Sequence, residues 1–390
     1  MKPPVSALAV ALVFTLLAGC WDNSELDEYG YVQAVAIDRR TDGLIQVTTH
    51  FYNPANKNNQ VGGNTEPVQK GINIATSGET IMEAIRDIPT ALGRKAKWDH
   101  MRVILLGEEL ARTENVREVL DFFSRDHEPR GTVLPLIAEQ AAGPFLDVRP
   151  FVEQTIGQQY KKMENNGARY SADSSDIPLY DFAIKLKGPS KTAELPYLHR
   201  GVAPQEATVS GVAIIRNGKL ADILDESDTE AFLMLTGRYT SGVIEFPCLE
   251  NGKEHTNAKE SFEVVTLNGS TVPTVAGDKI SVRVKIRIEG TVGELRCSHL
   301  KTKDDVARFE RMIDDTVERQ LRQTIERFKR NELDAIGIAS RIYRMHPKLW
   351  KRLEPEWKQR FAQIDFQVGV TTRVLSTSMN VGTPFGTKEK

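Results

Sequence analysis

Val282-Arg283-Val284-Lys285-Ile286-Arg287-Ile288 alternates aliphatic and basic residues without a break. Successive side chains of a strand point to opposite faces, so this spacing predicts a strand with one face in a core and the other in water. Just beyond it, Val306, Phe309, Ile313, Val317, Leu321, Ile325 and Phe328 recur every three or four residues among charges from Asp304 to Lys329. That period predicts an amphipathic helix of roughly 40 Å, long enough to cover a whole sheet face. With strong strands beside it, the stripe fits packing within the chain better than a coiled coil with a partner. The pair sets the class as α+β, with a largely antiparallel sheet and one long helix in the C-terminal half.

Strands dominate from Val243 to Leu295. Before them, Val209 to Ile215 and Leu220 to Leu224 flank Asn217-Gly218, a dipeptide that supplies the positive φ angles of a type I′ hairpin turn. Ser227-Asp228-Thr229-Glu230 has capping-box spacing ahead of a helix through Phe232 to Leu235. After the long helix, Asp334 to Arg344 and Pro347 to Arg352 read as shorter helices, and Phe366, Val368, Val370 and Val374 as a last strand. Residues 377–390 form a tail.

Pro189, Pro196 and Pro204 punctuate a stretch without clear period, and the main boundary is expected there. This gives an N-terminal α+β domain at 31–190, with room for two subdomains, a linker at 191–206 and a C-terminal α+β domain at 207–376. In the first, Val32 to Ile37, the turn Thr41-Asp42-Gly43 and Leu44 to Tyr52 read as a hairpin, with Ile45, Val47 and Phe51 on one face. Asn53 to Asn64 is a polar loop. Thr76-Ser77-Gly78-Glu79 has capping-box spacing before Ile81, Ala84, Ile85 and Ile88, a helical set ending near Pro89. Val103 to Leu106 and Val133 to Ala138 read as strands around a helix at Val116 to Phe123. Val152, Ile156 and Met163 suggest one more helix, and Leu179, Phe182, Ala183 and Leu186 another, stopped by Gly188-Pro189.

At the amino terminus, Val5 to Ala18 is apolar but spans only about 21 Å as a helix, short of a bilayer core. It reads as the h-region of a signal peptide, 1–19, with Lys2 and the amino group as a thin charged start. Leu17-Ala18-Gly19-Cys20 resembles the lipobox of bacterial lipoproteins, in which cleavage after Gly19 leaves Cys20 as a diacylglyceryl anchor and 20–30 as a short tether. Two acyl chains, of palmitate type, supply on the order of 20 kcal/mol of membrane affinity. No later segment approaches eighteen consecutive apolar residues. A secreted protein in which Cys20 merely falls near the cleavage site is the blander alternative.

Of 390 residues, 390 − 19 = 371 remain after cleavage, natural for two or three domains. A formal net charge of −2 makes no electrostatic case for nucleic acid. Besides Cys20 only Cys248 and Cys297 are present, in a compartment where disulfides persist; a bridge and two unpaired thiols are both open. The histidines at 50, 100, 127, 199, 255, 299 and 346 show no ligand spacing, and neither metal nor cofactor is expected. The usual hydrolase, zinc-protease and EF-hand motifs are missing, so no catalytic residues are assigned. Gly218-Lys219 is a hairpin turn rather than a phosphate loop, because Leu220 stands where Ser or Thr would bind magnesium. Glu108-Glu109 opens a helix after a strand, where the helix dipole explains acidic residues. Trp21 suits a contact at a membrane interface.

Several stretches match one family in order and spacing: Gly19-Cys20-Trp21-Asp22 with Glu25-Leu26; Ala36-Ile37-Asp38; Ser77-Gly78-Glu79-Thr80; Ile104 to Ala111; Gly211 to Ile215 with Gly218-Lys219-Leu220; and Asp334-Ala335-Ile336-Gly337 through Tyr343-Arg344, Pro347 and Trp350-Lys351. Over nearly the whole mature chain the sequence resembles the Ger(x)C spore germination lipoproteins, C subunits of nutrient germinant receptors in endospore-forming bacteria. The Asn/Gly loop at 57–64 and the weak positive start are departures. The resemblance implies a non-enzymatic, multi-domain α+β protein on the extracytoplasmic face of the spore inner membrane. It also implies work beside A-type and B-type membrane subunits.

Two other classes share the anchor. A substrate-binding lipoprotein of an ABC importer usually has a longer flexible tether, whereas here the first strand begins near Tyr31, at most about 35 Å of extended chain from the lipid. A lipoprotein enzyme is disfavoured by the absent motifs.

Overall fold

A computed structural model describes residues 25–53, 71–126, 128–203, 206–250, 253–277 and 279–377. Cys20, most of the Asn/Gly loop and the tail lie outside the described residues.

β1 (Tyr29–Arg39) turns through Thr41-Asp42-Gly43 into antiparallel β2 (Ile45–Tyr52), with Ile37 opposite Val47. Gly43 takes φ +87°, which glycine adopts without strain. β3 (Gly71–Gly78) adds to β2. Its Asn, Thr and Ser residues hide it from a hydrophobic pattern, and it displaces the expected helix cap. Thr76 to Gly78 are strand, and the cap lies four residues later at Thr80, whose Oγ1 accepts from Glu83 N at 3.2 Å; Glu83 accepts from Glu79 N at 2.7 Å, one residue before the cap, rather than closing a capping box. The single expected helix is also two, α1 (Ile81–Arg86) and α2 (Ile88–Leu92), because Pro89 suits a first turn rather than an interior.

β1 runs parallel to β4 (Lys95–Lys97) and to β5 (Val103–Gly107), which is followed in parallel by β6 (Leu134–Ala138) and β7 (Thr192–Arg200). β8 (Ala207–Arg216) and β9 (Lys219–Leu224) then complete, antiparallel, a nine-stranded sheet in the order β3-β2-β1-β5-β6-β7-β8-β9, with β4 beside β1. Every residue of β5 and β6 is buried, as strands covered on both faces require. On one face lie α1, α2, α3 (Glu108–Thr113), α4 (Val116–Arg125) and α6 (Leu179–Lys187), packing residues such as Ile88, Leu110, Phe123 and Phe182 on Val35, Ile37, Ile104 and Leu106. On the other, Ile156 and Tyr160 of α5 (Ile156–Asn166) join Phe145 over Ala34, Val103 and Leu136. α5 begins at its Thr155 cap, so Val152, 89% exposed, is not part of it.

The stretch expected as a linker at 191–206 is largely β7, inside this sheet, and the strands expected to open the C-terminal domain at 207 belong to it as well. Pro196 hid the strand: it coincides with a register shift against β8, where a residue without an N–H is tolerated. The strand also carries a buried Glu194, which breaks its apolar run.

The second sheet, β10 (Gly242–Glu250), β11 (Lys253–Ala276), β12 (Lys279–Glu294) and β13 (Asp365–Ser376), is antiparallel except for β12 with β13. Val282, Val284, Ile286 and Ile288 are buried and the basic residues between them exposed. α8 (Lys303–Arg330) opens with a capping box of Thr302 and Asp305 and lays Phe309, Ile313, Val317, Leu321, Ile325 and Phe328 on that core. α7 (Glu226–Thr236) is capped by Asp225, which accepts from Asp228 N at 2.9 Å; Ser227, expected to start the box, lies inside the helix. α9 (Ile338–Met345), α10 (Pro347–Leu353) and α11 (Trp357–Ala362) close the sheet end with Trp350, Trp357 and Phe361. This core also holds Val212, Ile214 and Leu224, so the far strands of the first sheet pack directly into the second unit. No helix among the described residues is long and apolar enough to cross a membrane.

Candidate functional site

The expected anchor residue, Cys20 after Gly19, and its neighbours Trp21 and Asp22 lie outside the described residues. From Glu25 the chain makes a single tight turn, Leu26–Glu28, and enters β1 at Tyr29. Nine residues from Cys20 to Tyr29 reach at most about 30 Å.

Ligands of α/β sheets usually sit beyond the carboxyl ends of parallel strands. Here that position, past Ile37, Leu106 and Ala138, holds a cavity of about 450 Å³ lined by Asp38, Glu108, Glu109, Arg112 and Gln140. Two of its acids, Asp38 and Glu108, are held by hydrogen bonds. Asp38 accepts from Ala142 N at 2.7 Å and Gly143 N at 2.8 Å, and burial raises its pKa while those two bonds oppose the rise. Glu108 takes a fork from Arg112 within the first turns of α3 and the hydroxyl of Tyr197. Gly107 is required: a Cβ there would lie 2.2 Å from Asp38 Oδ1. The cluster ties the loop after β6 to β1 and contains no nucleophile and base in hydrogen-bond reach.

Other buried carboxylates act as fasteners in the same way. Asp334 accepts from Ile338 N, Ala339 N and Trp357 Nε1, fixing the start of α9 against α11. Glu260 accepts from the backbone N–H groups of Arg296, Cys297 and Ser298 and from Ser298 Oγ, holding the loop after β12 on β11. That loop brings Cys297 to Cys248, the two joined as a disulfide with Cα atoms 5.8 Å apart. Glu164 of α5 is fully buried; desolvation pushes its pKa well up and Asp176 adds to the rise.

Two histidines are held by side-chain contacts across neighbouring strands. His50 Nδ1 meets Asn73 Oδ1 at 2.6 Å and His199 Nε2 meets Ser210 Oγ at 2.8 Å, and burial lowers the His50 pKa. Among the described residues no group of His, Cys, Asp or Glu is arranged to hold a metal ion. Asn217 and Gly218 take φ +53° and +85° in the β8–β9 turn, with Lys219 donating to Thr113 O.

One grouping had no sequence signal. Lys185, Glu194, Arg238, Arg341 and Arg344, scattered over 160 positions, line a groove of about 480 Å³ between α6, β7 and α9. Glu194, on β7, accepts from both Lys185 and Arg238. Burial works to raise its pKa, and the two cations outweigh it and hold the carboxyl below its ordinary value. No spacing rule connects residues contributed by separate elements of both sheets.

The architecture and sequence both have known counterparts. Residues 22–200 match the spore germination protein N-terminal domain, and residues 210–378 the family described as spore germination B3/GerAC like, C-terminal. The first match ends with β7 and the second begins inside β8, although the hydrogen-bonded sheet continues through that point. The chain is similar to spore germination protein B3 of Bacillus subtilis, 25% identical across 94% of this chain and 96% of that one. It is also similar to spore germination protein KC of the same organism, 22% identical across 96% and 95%. The crystal structure of the GerBC protein shares the fold, with a TM-score of 0.55 and 19% identity over 91% of this chain and all of that one. The chain belongs to the Ger(x)C family of spore germination proteins, which are germinant receptor subunits associated with the spore membrane.

Proposed function

We propose that this chain is the lipid-anchored C subunit of a nutrient germinant receptor, held by diacylglyceryl Cys20 on the extracytoplasmic face of the spore inner membrane. There it docks on A-type and B-type membrane subunits and is needed for the response to germinant. The single observation that carries this reading is positional. The family match begins at residue 22, two residues after the lipobox cysteine, and runs with one short gap to residue 378, so almost nothing separates the anchor from the receptor fold. The buried carboxylates of Asp38, Asp334 and Glu260, each held by backbone N–H groups, favour a scaffold. The Cys248–Cys297 bridge, on this reading, forms on export and clamps the α8 loop to the second sheet.

Affinity capture of the full-length chain from detergent-solubilised spore inner membrane, followed by mass spectrometry, tests the proposal. A-type and B-type subunits are expected to co-purify. Recovery of an ABC permease in their place sinks it.

A further inference from the structure

We propose that the groove between α6, β7 and α9 binds a small anionic molecule through carboxylate or phosphate oxygens. The inference is independent of the receptor assignment and rests on charge that the protein does not balance.

Four cationic side chains line the groove, Lys185, Arg238, Arg341 and Arg344, against one carboxylate, Glu194. Glu194 is already shared by Lys185 and Arg238. The remaining two cations meet no carboxylate within ion-pair distance among the described residues. Arg341 donates Nη1 to the backbone oxygen of Thr271 at 2.6 Å, and Arg344 donates Nε to Ser340 O at 3.4 Å. Asp334, the acid whose charge acts on Arg341, is buried and committed to two backbone N–H groups and Trp357.

Ordinary structural roles account for only part of this. Arg344 stands in the last turn of α9, where the helix dipole favours a cation. Arg341 stands a turn earlier and is only partly exposed. Desolvation and the neighbouring Arg344 both depress its pKa, with Asp334 opposing them, so the charged guanidinium is held there at a cost. Uncompensated like charge in a concave, partly desolvated place is relieved by a counter-anion, and guanidinium groups fork onto carboxylate and phosphate oxygens. The hydroxyls of Ser190, Thr192 and Ser340 lie in the same lining, and Ile184 and Tyr343 form an exposed apolar rim. The volume suits a small molecule, and an excess of three positive charges suits one with two or three negative charges.

The test is calorimetric titration of the full-length chain in detergent micelles at constant ionic strength, with citrate as the carboxylate probe and inorganic phosphate as the other. Saturable binding in the millimolar range or tighter is expected for at least one probe, and the better of the two names the chemistry. R344Q is expected to weaken it at least tenfold, R341Q likewise, and R341K less than R341Q because charge is retained. Should R341Q misfold, R344Q carries the test alone, since Arg344 makes a single long backbone contact. Absence of binding by either probe, or equal binding by wild type and R344Q, overturns the proposal.

Discussion

Arg327, in the last turns of α8, forks onto Asp222 of β9, with Nη2 to Oδ1 at 2.7 Å and Nε to Oδ2 at 2.9 Å. Its other nitrogen reaches Asp228 in the first turn of α7, and Nη2 also donates to Ile223 O at 2.8 Å. One guanidinium thus fastens the helix of the second unit to the edge strand of the first sheet. Both carboxylates are more than four-fifths buried, so removing the cation leaves two acids poorly solvated. R327M is expected to cost about 2–3 kcal/mol, and R327K somewhat less, because an ammonium cannot fork onto Asp222. Urea denaturation of the three proteins measures it. A loss under about 0.5 kcal/mol for R327M would place the fork among surface pairs of little worth.

Cys248 is fully buried on β10 and Cys297 follows β12, 49 positions further along the sequence. Closing a loop of that length removes up to about 4 kcal/mol of unfolded-chain freedom. C297S is therefore expected to lower the thermal midpoint, and the oxidised wild type to gain the mass of two hydrogens on reduction. An unchanged mass with reductant would mean that the thiols stand apart in the exported protein.

The Glu230 carboxyl on α7 is pushed up to about 7, first by desolvation, with Asp173, Glu226 and Glu245 adding to the rise and the Gln320 amide opposing it. Glu230, Glu245 and Lys259 line one cavity, and Lys259 is paired with Glu245. Between the ordinary 4.5 of a glutamate and about 7, the folded chain keeps a proton there that the unfolded chain has released. Stability must then fall as pH rises through that window and level off above it. E230Q, neutral throughout, is expected to flatten the wild-type decline and to be the more stable protein on the alkaline side. Denaturation midpoints at a series of pH values decide it; parallel wild-type and E230Q curves would mean that Glu230 titrates as an ordinary surface acid.

Those three sites show what a sequence makes legible. The α8 stripe and the alternation at Val282 to Ile288 declared their partners because burial follows a fixed local period. The β8–β9 turn was equally plain, since Asn217 and Gly218 occupy backbone angles that few other residues tolerate. By contrast, both predicted capping boxes before α1 and α7 were out of frame. Ser, Thr and Asp occur at several neighbouring positions, and only the strand that precedes each helix selects among them. β7 was missed for a related reason: Glu194 sits in it as a buried charge whose compensating cations arrive from α6 and from beyond α7. The basic groove depends on the same long-range assembly, so Arg341 and Arg344 read in isolation as a helix's wet side. The anchor expected at Cys20 is the opposite case, a reading from a motif alone that would depend on no fold at all.

That independence makes Cys20 the clearest functional test. The residue precedes the first described element, the tight turn Leu26–Glu28, and the described residues include no helix long and apolar enough to cross a membrane. C20A is therefore expected to retain the wild-type denaturation midpoint while moving from the membrane to the soluble fraction. Confinement to a membrane acts as effective concentration: contacts that are weak singly hold when both partners share one surface. Losing the anchor forfeits about 100-fold or more in apparent affinity without breaking any protein contact. Nutrient-triggered germination of spores carrying C20A is expected to be abolished or strongly reduced, while germination by routes that bypass nutrient receptors continues. Fractionation, immunoblotting for accumulation and germination assays read the three consequences separately. A C20A chain that accumulates normally, stays with the membrane and supports full nutrient germination would mean that protein contacts suffice and that the lipid has no part in holding the subunit in place.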